Sequence, residues 1–75
     1  MMTQKEFEKK VFDEVVAHDL KGFDLEDIKQ YFKDNQELIK KHYEQGVERF
    51  NKTHDEKLAF NAPFNTLCDY IRMDF

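Results

Sequence analysis

The spacing of hydrophobic positions near the start of the chain predicts an amphipathic helix. Thr3 followed three residues later by Glu6 is a capping-box pattern, which satisfies backbone groups at a helix N-terminus. The apolar residues that follow cover one wide arc of a helix at about 100° per residue. They are Phe7, Val11, Phe12, Val15, Val16 and Leu20. Gly22 stands where a left-handed C-terminal cap is expected, so we predict that the first helix ends before it.

Two further helices are predicted between residues 24 and 51. Asp24 is a suitable N-cap for a short second helix, and the third helix, about 35–51, has the most regular pattern. Its apolar half consists of Leu38, Ile39, His42, Tyr43, Gly46, Val47 and Phe50. Asp34, with Glu37 three residues on, offers a new cap between the two. We expect a break or kink there, and the pattern leaves a continuous helix open.

Gly46 lies in the centre of the apolar side of the third helix. A glycine inside a helix costs about 1 kcal/mol relative to alanine. We therefore expect a bulky side chain from another helix, such as a phenylalanine, to fill the space beside Gly46.

The last part of the chain predicts a short helical turn followed by a final helix. Thr53 with Glu56 repeats the capping pattern, 61–63 interrupt the helix, and Pro63 suits the first position of the next one. The fold class predicted for residues 1–75 is all-α, a small single-domain bundle of three to four helices. The expected core residues are Phe7, Val11, Phe12, Val15, Leu38, Ile39, Tyr43, Val47, Phe50, Phe64, Leu67 and Ile71.

Charge and composition restrict the classes of function. Sixteen acidic and twelve basic residues give a net charge of −4, which disfavours binding to long polyanions. The first residues are polar where a signal peptide needs an apolar run, and no stretch reaches the ~18 apolar residues of a membrane span. Cys68 is the only cysteine, so no intrachain disulfide can form. We expect a cytoplasmic protein without contact with a membrane.

Lysine exceeds arginine among the basic residues, and asparagine and phenylalanine are frequent. We interpret this bias as the product of an A/T-rich coding genome, and the hypothesis it supports is a protein from a phage or mobile element of a low-GC bacterium.

The residues that could carry chemistry have simpler structural interpretations. His42 lies on an apolar helix face, where a hydrogen-bonded, partly buried side chain is the usual role. His18 and His54 lack the convergent partners of a zinc site. Cys68 lies on an apolar face next to Asp69, a poor setting for a nucleophile. We therefore predict no catalytic site, metal, cofactor or small-molecule substrate.

The aromatic content favours an interaction module. Aromatic residues make up 15% of the chain, eight of them phenylalanine, more than a domain of this size readily buries. We predict a non-catalytic protein–protein interaction or regulatory function, with another protein or a second copy in a homodimer as the partner. The expected contact surface is the apolar C-terminal end, with Tyr70, Met73 and Phe75.

A nucleic-acid-binding function is the alternative. The second and third helices resemble a helix-turn-helix in outline, and Lys40, Lys41 and Arg49 would be the nucleic-acid contacts. The acidic net charge and the glutamates between these bases weigh against it.

Overall fold

The computed structural model describes residues 1–19 and 22–74, with Asp19 described through its backbone alone. Within them, four α-helices follow one another: α1 (Gln4–Glu14), α2 (Leu25–Asp34), α3 (Gln36–Thr53) and α4 (Glu56–Asp74). A π-helical turn at Val15–Asp19 continues α1. The described residues form a small all-α bundle, which confirms the predicted fold class. The predicted position of Leu20 lies outside the described residues.

The predicted N-terminal caps of the first two helices are confirmed. The Glu6 backbone N–H donates to Thr3 Oγ1 at 3.2 Å, and the Thr3 N–H donates to Glu6 Oε1 at 2.9 Å. Asp24 Oδ1 accepts from the Glu26 N–H at 2.9 Å. Gly22 has a φ of 97°, in the left-handed region expected of it. These bonds join residues that are close in sequence, which explains why the starts of α1 and α2 can be predicted from the sequence.

The chain breaks between α2 and α3, as expected, but Asp34 is not the cap. The residue at the N-cap position is Asn35, whose side chain makes no capping bond. Its Nδ2 instead donates to the Tyr31 carbonyl at 2.8 Å, and Gln36 Nε2 donates to the Phe32 carbonyl at 2.7 Å. The two amides therefore add donors at the C-terminal carbonyls of α2, where the Tyr31 carbonyl also accepts from the Asn35 backbone N–H at 3.0 Å.

α3 and α4 form a hairpin joined by only two residues. His54 adopts the left-handed conformation (φ 56°, ψ 22°), and its N–H donates to the Phe50 carbonyl at 2.7 Å. Asp55 Oδ1 then accepts from the Leu58 N–H at 3.1 Å. The predicted cap at Thr53 is wrong, because Thr53 is the last residue of α3. The carboxylate two residues later stabilises the start of α4 in its place.

α4 continues through Pro63, so the predicted interruption at 61–63 is wrong. Proline lacks the N–H that would bond to the Ala59 carbonyl four residues earlier, which normally disfavours a helix interior. Here Pro63 itself is buried, and buried residues lie on both sides of it, including Phe60 and Leu67. Packing of both halves against the bundle stabilises the continuous helix more than the missing bond weakens it.

The core lies where α1 crosses the α3–α4 hairpin. Phe7, Phe60 and Tyr43 meet there, with ring centroids 5.6–6.0 Å apart. All twelve predicted core residues are buried or pack partly buried against the core. The predicted list omitted six further apolar residues that are buried: Ile28, Phe32, Ala59, Phe60, Pro63 and Cys68. The Tyr43 hydroxyl also donates to the Met2 carbonyl at 2.8 Å, which ties the start of α1 to the hairpin.

Candidate interaction surfaces

The last turns of α4 carry the residues predicted for an interaction surface. Tyr70 is 48% exposed and Met73 is 80% exposed. The Tyr70 ring lies edge-on to His42 of α3, with centroids 5.6 Å apart, so its position is set by the hairpin. Phe75, the third residue of this surface, lies outside the described residues. Tyr70 and Met73 are three residues apart and therefore share one side of α4.

A hydrogen bond holds this end of α4 in place. The Tyr31 hydroxyl of α2 donates to Asp74 Oδ2 at 2.5 Å. Burial, together with this bond and the carboxylate charge, raises the pKa of Tyr31 well above its ordinary value. The contact links α2 to the final turn, next to Met73.

The continuity of α4 adds residues that the sequence prediction missed. Leu58 is 61% exposed, and helical spacing places it on the same outer side of α4 as Ala62, Thr66 and Met73. Between Lys57 and Asp69 the sequence has no charged residue, although charged residues make up 37% of the chain. This uncharged run indicates an exposed apolar surface already in the sequence. The predicted interruption at 61–63, however, assigned Leu58 and Met73 to different helices. We call this side, with Leu58, Ala62, Asn65, Thr66, Asp69, Tyr70 and Met73, the outer face of α4.

The three bases proposed as nucleic-acid contacts are exposed on α3 but do not converge. Lys40 and Lys41 point about 100° apart around the helix axis. Arg49 lies in a shallow groove with Gln45, Glu48 and Lys52, where Glu48 pairs with Lys52 at 3.6 Å. A single residue, Asn35, joins α2 to α3, whereas a helix-turn-helix uses a turn of about three to four residues.

The histidine and the cysteine of the apolar faces are both buried. His42 is buried, with Nδ1 2.9 Å from the Leu38 carbonyl oxygen, and its ring packs on Tyr70. Cys68 is buried on the side of α4 toward the core. Within residues 1–19 and 22–74, no three side chains of His, Cys, Asp or Glu cluster as ligands for a metal ion.

Two open grooves flank α1. The first, about 490 Å³, lies between the start of α1 and α4, with Phe7, Phe60 and Phe64 among its lining residues. The second, about 400 Å³, lies between α1 and α2 and is lined by four lysines. Each groove is formed by side chains from separate helices, so its lining depends on how those helices are placed in the fold.

Comparison of the sequence with models of protein families, with curated proteins and with solved structures found no match. Within the part of the chain that the structure describes, none of the helices has the length and apolar character needed to cross a membrane. The function of the protein is therefore inferred from the geometry and chemistry of these surfaces.

Proposed function

We propose that this protein is a non-catalytic protein–protein interaction or regulatory module of the cytoplasm, which associates with a second copy of itself through the outer face of α4. The observation that carries the proposal is the exposure of Leu58 and Met73 at the two ends of a helix face that has no charged residue from Leu58 to Thr66. Depletion of charge in the centre of an exposed surface is typical of protein–protein interfaces.

The arrangement of residues along this face suits an antiparallel pair of α4 helices. In a twofold-symmetric dimer the same patch meets itself, so residues equidistant from the centre lie opposite each other. With the centre between Asn65 and Thr66, Leu58 of one copy lies opposite Met73 of the other, and the small Ala62 lies opposite Asp69. The face extends about 22 Å along α4. Each exposed apolar end would thereby be covered by the other.

Tyr70 and the neighbouring ion pair between Asp69 and Arg72 lie at the margin of the proposed interface. Tyr70 keeps one side of its ring on His42, and half of its surface is available to a partner. Arg72 lies 3.2 Å from Asp69, so the charge of this carboxylate is partly compensated. Aromatic residues at the margin of an apolar patch combine contact area with a hydroxyl that can remain solvated.

A helix-turn-helix-like nucleic-acid binder remains the alternative class, with Lys40, Lys41 and Arg49 as contacts. It is the weaker proposal because these side chains are distributed around α3 among glutamates and the net charge is −4. A gel shift with duplex DNA at low salt tests it directly, since phosphate contacts strengthen as salt falls. A shift that disappears in a variant with all three bases replaced by glutamine would favour this class.

The molar mass in solution, measured by light scattering over a wide dilution series, tests the dimer. We expect a dimer for the wild type and a shift toward monomer for Leu58→Glu, because a charge would be placed opposite Met73. Leu25→Glu is the matched control, since Leu25 is also exposed (44%) and lies at the start of α2. A deletion of residues 73–75 is less specific, because it also removes Asp74 from its bond with Tyr31.

The proposal would be contradicted by two results. One is a wild-type protein that is monomeric at every concentration, and the other is a Leu58→Glu variant that dimerises as strongly as Leu25→Glu.

A further inference from the structure

The groove between α1 and α2 brings together four lysines from two separate helices. Lys5 and Lys9 lie one turn apart on α1, and Lys29 and Lys33 lie one turn apart on α2. All four are exposed. The net charge of this part of the sequence does not predict a basic groove, because the first 34 residues contain nine acidic and six basic residues. Four of those six bases lie along one groove of about 400 Å³.

The acidic groups near this groove leave it with an excess of positive charge. Glu8 is the acidic residue in the lining, and its Oε1 accepts from Gln36 Nε2 at 2.6 Å. Asp13 pairs with Lys9 at 2.8 Å, and Glu26 lies 3.7 Å from Lys29. Both of these acids lie outside the lining, and such exposed pairs within one helix interact weakly. Clustered lysines of this kind attract anionic ligands.

The floor of the groove is apolar. Phe12 and Phe32 line it, with their rings edge-to-face at a centroid distance of 5.2 Å. Phe32 is buried, whereas Phe12 is partly exposed and available for contact. The hydrocarbon stems of the surrounding lysines add further apolar surface. A ligand that fits this groove combines negative charges with an apolar group between them.

We propose that the α1–α2 groove binds an acidic amphipathic segment of a partner protein. Carboxylates one helical turn apart would meet the lysine pairs, and an apolar side chain between them would contact Phe12, as in helix-in-groove recognition. This inference rests on one part of the proposed function, namely that the protein acts by binding another protein. It concerns a surface separate from the outer face of α4.

A nucleic acid is a poorer occupant for two reasons. A long polyanion would extend beyond the groove over a protein with a net charge of −4, whereas a short acidic segment ends within it. A phosphate backbone also makes no use of the apolar floor at Phe12. Nucleic acid is therefore an outcome of the test and not the proposed ligand.

The test uses the full chain and a fluorescent synthetic helical peptide with glutamates one turn apart around a leucine. Binding is measured by anisotropy at low salt, and amide chemical shifts locate the site. The groove variant replaces four lysines by glutamine: Lys5, Lys9, Lys29 and Lys33. The matched control removes the same charge outside the groove, at Lys40, Lys41, Lys52 and Lys57. Further probes are the same peptide with serine for leucine, inorganic tripolyphosphate and a single-stranded DNA oligonucleotide.

We expect saturable binding of the leucine peptide, with shifts at residues of α1 and α2. The groove variant should bind about tenfold more weakly, and the control variant should retain most of the affinity. The serine peptide should bind more weakly than the leucine peptide. Because all four lysines are exposed, the groove variant should fold. If it does not, the same test uses two variants, one with only the α1 pair of lysines replaced and the other with only the α2 pair replaced.

The proposal would be overturned by an absence of saturable peptide binding, by equal losses in the groove and control variants, or by equal affinity of the two peptides. Binding of tripolyphosphate or DNA in the groove without binding of the peptide would also overturn it, in favour of a phosphate ligand. Leu58→Glu should leave peptide binding unchanged, so failure of the α4 dimer and failure of the groove can be distinguished.

Discussion

Gly46 and Phe60 are in direct contact, because the Phe60 ring lies against the α3 backbone in the space that a side chain at position 46 would occupy. A Cβ built on Gly46 would overlap the ring atoms Cδ1 and Cε1 and lie 3.0 Å from Cγ. This confirms the prediction that a bulky side chain from another helix fills the space beside Gly46. The close approach of α3 and α4 at this point lets Phe60 reach Phe7 and Tyr43 in the core.

Replacing Gly46 by alanine should destabilise the fold. Alanine gains about 1 kcal/mol of helix propensity, but overpacking against the buried Phe60 ring typically costs about 1–3 kcal/mol. Urea unfolding measures the difference. Phe60→Leu makes room for the methyl group, so the loss in the double variant should be smaller than the sum of the two single losses. Additive losses, or a more stable Gly46→Ala protein, would contradict this account of the contact.

The bond between Tyr31 and Asp74 should make stability depend on pH in the alkaline range. The pKa of Tyr31 in the folded state lies above its ordinary value of 10.0, mainly because of burial. The bond therefore contributes its full stability below pH 10.0, and this contribution is lost as the pH rises further. Tyr31→Phe should cost about 1 kcal/mol at neutral pH, and its difference from the wild type should shrink in strong alkali.

Urea midpoints for both proteins across this range check the prediction, and comparing the two removes the pH effects that they share. Asp74→Asn is a control that keeps an acceptor without the charge. A difference between wild type and Tyr31→Phe that stays constant with pH would be inconsistent with the raised pKa.

The capping box at the start of α1 should contribute measurably to stability. Thr3→Ala removes the hydroxyl that accepts from the Glu6 N–H and should cost about 1 kcal/mol, whereas Thr3→Ser should cost much less. Thermal unfolding of the three proteins provides the comparison. If Thr3→Ala and Thr3→Ser were equally stable, the hydroxyl would have no capping role.

The capping box formed by Thr3 and Glu6 also predicts that the folded protein loses stability in acid. Hydrogen bonds from the Thr3 backbone, and secondarily from its side chain, lower the pKa of Glu6 below its ordinary value of 4.5. The contribution of Glu6 is therefore present above pH 4.5 and is lost as the pH falls through the lowered pKa. Glu6→Gln should remove this dependence. Thr3→Ala should retain most of it, because the backbone N–H of residue 3 remains. Unfolding midpoints as a function of pH test both statements.

Cys68 should react slowly with thiol reagents in the folded protein. Its side chain is 3% exposed, so the thiol becomes accessible only when α4 opens. The reaction followed with a chromogenic disulfide should accelerate with added urea in parallel with unfolding, and Cys68→Ser should give no signal. Rapid labelling in native buffer would show that Cys68 is accessible without opening.

Much of the fold follows from interactions within three or four residues, and these could be predicted from the sequence. The capping box at Thr3, the N-cap at Asp24 and the apolar face of α3 all belong to this class. Two errors concern which side chain bonds to the end of a helix. Asn35, and not Asp34, is at the N-cap position of α3, and its side chain bonds to the end of α2. Asp55 replaces Thr53 as the cap of α4.

The sequence by itself determined the class of fold, the helix starts at Thr3 and Asp24, and the need for a neighbour beside Gly46. Only the tertiary structure decided that α4 continues through Pro63, because the loss of one backbone bond is outweighed by burial on both sides of it. That continuity places Leu58 and Met73 on one face. The meeting of Lys5 and Lys9 with a second pair of lysines likewise depends on how α1 packs beside α2, which local spacing does not encode.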